Sequence, residues 1–322
     1  MRYANIRRVS LRACLCVCLA VLCGQFLGGA AAQQPPRKEK EPPPAEEHVI
    51  TTKDGVELHA TWYPSTSGRN AAVVLFLHDF GGSRTDWRNL PADLQRSLDF
   101  AIVTLDLRGH GDSTQQVDPD GKERKLTAAR LRPDDFVAMA SQDVEAVKRW
   151  LIERNNNGEL NIERLGIVGA GLGALVAAEW AQQDWAYDKL PSIKQGRDVK
   201  ALALISPELH AKGLRASVLA EPPIRGQIGL QIIAGSGNGK AVRSARQVYN
   251  VVRRHYLDPP DSAPPEEVLA KKKLFLDIDY PTSLQGTKML GERLGLEDRI
   301  ARFLQIQLVD REYPWQVRKS PL

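Results

Sequence analysis

The stretch RLGIVGAGLGALVAAEW, residues 164 to 180, reads as an apolar strand, a glycine turn and a helix of small apolar residues. Working outward from it, further apolar runs occur at 71 to 77 (AAVVLFL), 100 to 105 (FAIVTL), 199 to 205 (VKALALI), 228 to 234 (IGLQIIA) and 272 to 278 (KKLFLDI). Two shorter strands are expected near Val49 to Thr52 and Glu57 to Tyr63. Between the later runs lie amphipathic stretches. Residues 134 to 154 place Phe136, Met139, Val144, Val147, Trp150 and Leu151 near helical spacing. Continuous apolar strands alternating with helices require a parallel sheet covered on both faces. The expected fold is therefore α/β, with a mostly parallel central sheet of about eight strands.

The glycine turn fits two chemistries. Gly169-Ala170-Gly171-Leu172-Gly173-Ala174 matches the G-x-G-x-x-A pattern, in which glycines let a backbone approach a dinucleotide pyrophosphate at a helix N-terminus. That reading needs an acidic residue closing the following strand about 20 residues on. Here the strand ends Ile205-Ser206-Pro207, and Glu208 stands 34 positions after Ala174.

The second chemistry comes from upstream. LFLHDFGGSRTDW (75 to 87) ends a strand in His-x-Phe-Gly-Gly, and VTLDLRGHGDS (103 to 113) ends the next in Asp-x-Arg-Gly-His-Gly-x-Ser. Together these resemble the α/β-hydrolase family, particularly its lysophospholipase-like and serine-aminopeptidase-like branches, over roughly residues 48 to 310. The resemblance implies helices on both faces of the sheet and an oxyanion loop at His78, Asp79, Phe80 and Gly81, with Phe80 contributing a backbone N–H. It also implies a mainly structural second loop and a nucleophile elbow of the form G-x-S-x-G. Only 22 residues separate Ile205 from Ile228, so little or no lid is expected.

Gly171 stands where that elbow carries its serine, and glycine has no side chain to attack a carbonyl. The family's acid position falls in Gly235-Ser236-Gly237-Asn238, so Asn238 replaces a carboxylate. The histidine position falls near Thr282, and no histidine follows His255. All three triad roles are thus vacant. The elbow's N–H groups at Leu172 and the Phe80 N–H are expected to remain open to a carbonyl or carboxylate oxygen. The expected function is a catalytically degenerate hydrolase-fold protein binding a small ligand of that kind or a protein partner. Alternatives are an ester, peptide or lipid hydrolase with a displaced catalytic set centred on Ser83, and a dinucleotide-binding protein using Gly169 to Ala174.

His78 and His110 read as hydrogen-bonded turn residues. Asp277 and Asp279 lack further ligands for a metal, and Asp118, Asp120 and Gly121 read as a solvated turn. Neither a metal nor a cofactor is expected.

Residues 1 to 32 carry Arg2, Arg7, Arg8 and Arg12 without an acid, then an uncharged run from Ala13 and a small-residue exit at Ala30 to Ala32. This is the layout of a signal peptide for export to the periplasm or medium, with an uncleaved membrane anchor as the alternative. Its removal takes four arginines, bringing the formal charge from +5 to +1, and so gives no basis for nucleic-acid binding. It also takes all four cysteines. Residues 33 to 47 (QQPPRKEKEPPPAEE) read as a solvated, proline-rich tether, and 48 to 322 as the folded domain.

Overall fold

The computed structural model describes residues 41–318 apart from 119, 189, 191–193, 258–259 and 261–263. The expected signal peptide and residues 33–40 of the expected tether lie outside the described residues. In chain order the first elements are β1 (Glu46–Thr51), β2 (Glu57–Tyr63), β3 (Val73–Leu77), α1 (Leu90–Leu98), β4 (Ala101–Leu105), β5 (Gln115–Val117), β6 (Glu123–Lys125), α2 (Pro133–Ala138) and α3 (Glu145–Asn156). There follow β7 (Leu165–Ala170), α4 (Leu172–Ala186), β8 (Val199–Ile205), β9 (His210–Ala211), β10 (Leu214–Arg215), β11 (Gly229–Gly235), α5 (Gly239–Arg253), α6 (Pro265–Lys271), β12 (Leu274–Tyr280) and α7 (Leu296–Leu304).

Eight strands form one sheet in the order β1-β2-β4-β3-β7-β8-β11-β12. The β1/β2 and β2/β4 pairs are antiparallel, and every pair from β4 to β12 is parallel. In β3 the pleat sends Val73, Leu75 and Leu77 to one apolar layer, and Val74 and Phe76 to the other. The first layer is closed by α3, α4 and α5, the second by α1 and α7. Helix α4 lies over the sheet with Leu172 to Ala178 all buried, which explains its run of small apolar residues.

The tether is shorter than the sequence suggests. Glu46 and Glu47 are already in β1, paired with Trp62 and Thr61, and the Pro43 carbonyl accepts a hydrogen bond from Gln95 Nε2 at 3.0 Å. An edge strand with exposed acidic residues reads as linker because only one side of it is paired.

The segment between β8 and β11 is a small cap. It comprises the β9/β10 hairpin, turning at Lys212 and Gly213, and a short helical turn at Ala216–Ala220. No helix among the described residues is long and apolar enough to cross a membrane.

Candidate functional site

Strand β7 ends at Ala170, and the chain reverses at Gly171 with φ +50° and ψ −112° before α4 begins. That φ lies in the left-handed region, where a side chain costs on the order of 1 to 3 kcal/mol and glycine does not. The Gly171 N–H donates to the Ile205 carbonyl at 2.9 Å, tying the turn to β8. Two residues on, a Cβ at Gly173 would overlap the carbonyls of Leu77 and His78. The close approach these glycines permit is used by the chain itself: Gly173 is packed against the end of β3, and the Leu172 N–H is already donated within the protein.

The recipient of that N–H is Asp79, in the loop after β3. Its Oδ1 accepts from Leu172 N at 2.8 Å and from Phe80 N at 2.6 Å. These are the two donors expected to be open to a ligand oxygen. They are instead satisfied internally, which corrects that expectation. A Cβ on Gly171 would overlap the Asp79 carboxylate, so the acid group fills the space that a side chain at this position would take. The physical reason is direct: a carboxylate at a helix N-terminus gains charge-assisted hydrogen bonds and a favourable dipole, and glycine leaves room for it. Oδ2 takes no hydrogen bond among the described residues.

His78 supports this loop from behind. Fully buried, it receives the Leu107 N–H at Nε2 (3.1 Å), so Nδ1 carries the proton and donates to the Asp79 carbonyl at 2.7 Å. Burial holds its pKa below the ordinary imidazole value, the neutral state this pattern requires. His78 therefore positions Asp79 and does not line the cavity. Gly81, at φ +76°, forms the turn outside the cavity.

The other two expected triad positions separate. Asn238 is at the cavity wall, but its Oδ1 caps α5, accepting from Lys240 N at 3.2 Å and Ala241 N at 3.1 Å. Thr282 does not line the cavity, and its carbonyl receives Gly237 N at 2.8 Å. Gln285, three positions on, lines the cavity instead. Gln285 Oε1 accepts from Ser206 Oγ at 2.7 Å and Gly235 N at 3.3 Å, while Ser206 Oγ accepts Gly286 N at 2.9 Å. The Ser206 hydroxyl is thereby locked as a loop tie.

Ser83 also has a structural role. Its Oγ shares a hydrogen bond with Thr85 Oγ1 at 2.9 Å and its N–H donates to Asp86 Oδ2 at 3.1 Å. Ser83 does not line the cavity. Asp277 and Asp279 are bridged by Arg299 Nη1 at 3.2 and 3.0 Å.

These elements enclose a cavity of about 340 Å³ at the C-terminal ends of the strands. Asp79, Gly171 and Leu172 line it together with the apolar side chains of Leu175, Pro207 and Ala241. Two lysines also border it. Lys240 pairs with Glu208 at 3.4 Å, and Lys212 Nζ lies 5.2 Å from the ring centres of both Phe80 and Phe136. Sequence reasoning brought Asp79, Phe80, Gly171, Leu172 and Asn238 to this place. It missed Gln285, Ser206 and the cap residues, which have no motif of their own.

Residues 74–318 match the model of the alpha/beta hydrolase family, and the chain belongs to that family. Among solved structures it is similar in fold to the Pyrococcus furiosus esterase Pf2001, with a TM-score of 0.56 and 14% identity over 82% of this chain and 91% of that one. It is likewise similar to dienelactone hydrolase from Anabaena variabilis, with a TM-score of 0.52 and 16% identity over 84% and 99% of the two chains. An uncharacterized protein of Mycobacterium tuberculosis is 25% identical over 135 residues, 42% of this chain; the match spans 40% of that relative's length.

Proposed function

We propose that this protein is a non-catalytic member of the alpha/beta hydrolase family, exported by its N-terminal segment, that binds a small ligand in the cavity above Gly171. The observation that carries the reading is the Asp79 carboxylate, which fills the nucleophile's space and takes both backbone donors. A family hydrolase stripped of its triad retains on the order of 10³ over water from its oxyanion donors and binding. With those donors satisfied by Asp79, an ester carbonyl entering the cavity does not meet the two backbone N–H groups that would polarise it. Asn238 and Gln285 supply neither a carboxylate nor a base.

The test is to incubate the protein with a serine-directed fluorophosphonate and search for an adduct by mass spectrometry. No covalent labelling is expected at any serine. Stoichiometric labelling of Ser83, of Ser206 or of Ser244, which lines the cavity from α5, would sink the reading. Export is tested separately, by N-terminal sequencing of protein recovered outside the cytoplasm.

A further inference from the structure

From the hydrogen-bond inventory of the floor, we infer that the cavity selects a ligand headed by a primary ammonium group and carrying a short apolar body. The inference rests on the non-catalytic reading of the same site. A hydrolase elbow presents donors to its ligand. Here both donors end on Oδ1 of Asp79, a residue that lines the cavity, and its second oxygen, Oδ2, takes no hydrogen bond among the described residues. The polarity of the floor is reversed. An ionised carboxylate accepts and cannot donate, so a ligand carboxylate would meet like charge, whereas an ammonium would form a charge-assisted hydrogen bond.

The walls fix the rest of the ligand. Leu175, Pro207, Ala211 and Ala241 offer apolar surface, and about 340 Å³ is near the lower end of small-molecule sites. A benzyl or short alkyl body fits that volume. Neither lysine pairs with Asp79 among the described residues: Lys240 is matched by Glu208, and Lys212 lies over the faces of Phe80 and Phe136.

The experiment titrates benzylamine, benzyl alcohol and benzoate into the protein at pH 7, followed by amide NMR shifts, and repeats the series with Asp79→Asn. The asparagine retains an acceptor for Phe80 and Leu172, and thermal melting checks that it folds. Benzylamine is expected to bind at the Leu172 and Phe80 amides, and benzoate is not. Asp79→Asn should weaken benzylamine about tenfold or more, the worth of a hydrogen bond to a charged group, while leaving benzyl alcohol unchanged. The inference is overturned if benzylamine does not bind at millimolar concentration, if benzoate binds as well as benzylamine, or if Asp79→Asn leaves amine binding unaltered. Fluorophosphonate labelling reports on the other reading: labelling with amine selectivity intact removes the non-catalytic claim alone, and loss of selectivity without labelling removes this one alone.

Discussion

Two loops leave neighbouring strands at the same end of the sheet and have opposite fates. The loop after β4 retains its family signature, and its Asp106, Arg108 and Ser113 side chains are bound into the scaffold. Asp106 is fully buried, paired with Arg84 and accepting Asp112 N at 2.9 Å. Arg108, 1% exposed, places Nε and Nη2 on Asp143 at 2.8 and 2.6 Å, and reaches Asp54 at 2.7 Å. Ser113 Oγ donates to the Asp106 carbonyl at 2.8 Å and accepts His59 N at 2.9 Å. The loop after β3 instead sets a carboxylate, Asp79, against the turn at Gly171, where it takes the Phe80 and Leu172 N–H groups. A signature can therefore identify the fold through residues that only build it. The strongest motif in this sequence is evidence of architecture and says nothing about turnover.

The largest effect should come from breaking the scaffold loop. Arg108→Leu leaves Asp143 buried without its cation, and a loss of about 3 to 5 kcal/mol is expected in urea unfolding at pH 7. Acid sharpens the test. Burial raises the Asp54 pKa, but the hydrogen bonds from Arg108 and Thr52 and the Arg108 charge outweigh it, so the net pKa is below the ordinary carboxylate value. A lowered folded-state pKa contributes stability above the unfolded value, lost as pH falls through the folded one. The wild-type protein should lose that contribution on acidification, and Arg108→Leu should lose less. An unchanged acid slope in the variant would break the link between this arginine and Asp54.

On the other loop, Gly171→Ser adds a Cβ into the Asp79 carboxylate and a side chain at positive φ. A loss of about 1 to 3 kcal/mol is expected. Asp79→Gly in the same chain should recover part of it, giving a double-mutant coupling above about 0.5 kcal/mol. Strict additivity would show that the acid does not fill the nucleophile's space.

The reason this pairing was illegible in the sequence is distance. Asp79 and Leu172 are 93 positions apart, and no spacing rule links an acid in one turn to a missing side chain in another. The signal was present in retrospect: an acidic residue just before the oxyanion donor, in the same chain as a glycine elbow. Thr282 and Gln285 differ by three positions in an aperiodic loop, where register cannot be counted from a strand end. The strands were legible for the opposite reason. Buried parallel strands are continuous apolar runs, so AAVVLFL, RLGIVG and VKALALI located β3, β7 and β8 to within about two residues.

A smaller effect separates the two roles of Asp79. Asp79→Ala frees the Phe80 and Leu172 N–H groups, and the loss of a helix N-terminal acceptor should cost about 0.5 to 2 kcal/mol. In exchange the site should acquire the anion affinity of an open elbow. Acetate is expected to shift the Phe80 and Leu172 amide signals in Asp79→Ala and to leave them in place in the wild type. Equal shifts in both would mean the carboxylate does not hold those donors in solution.

The smallest effect is expected at Ser83, the one hydroxyl beside the oxyanion loop that sequence reasoning proposed as a displaced nucleophile. Its partner is Thr85 Oγ1, an exposed neighbour two positions on, so removing the hydroxyl strands no buried group. Ser83→Ala should change stability by no more than about 0.5 kcal/mol and leave benzylamine binding as it was. The contrast with Asp79→Ala, four positions away in the same loop, is the informative part. If the site acts through Asp79, only that substitution alters what the cavity binds; a change of ligand response on Ser83→Ala would place a functional hydroxyl outside the cavity and return the displaced-nucleophile reading to contention.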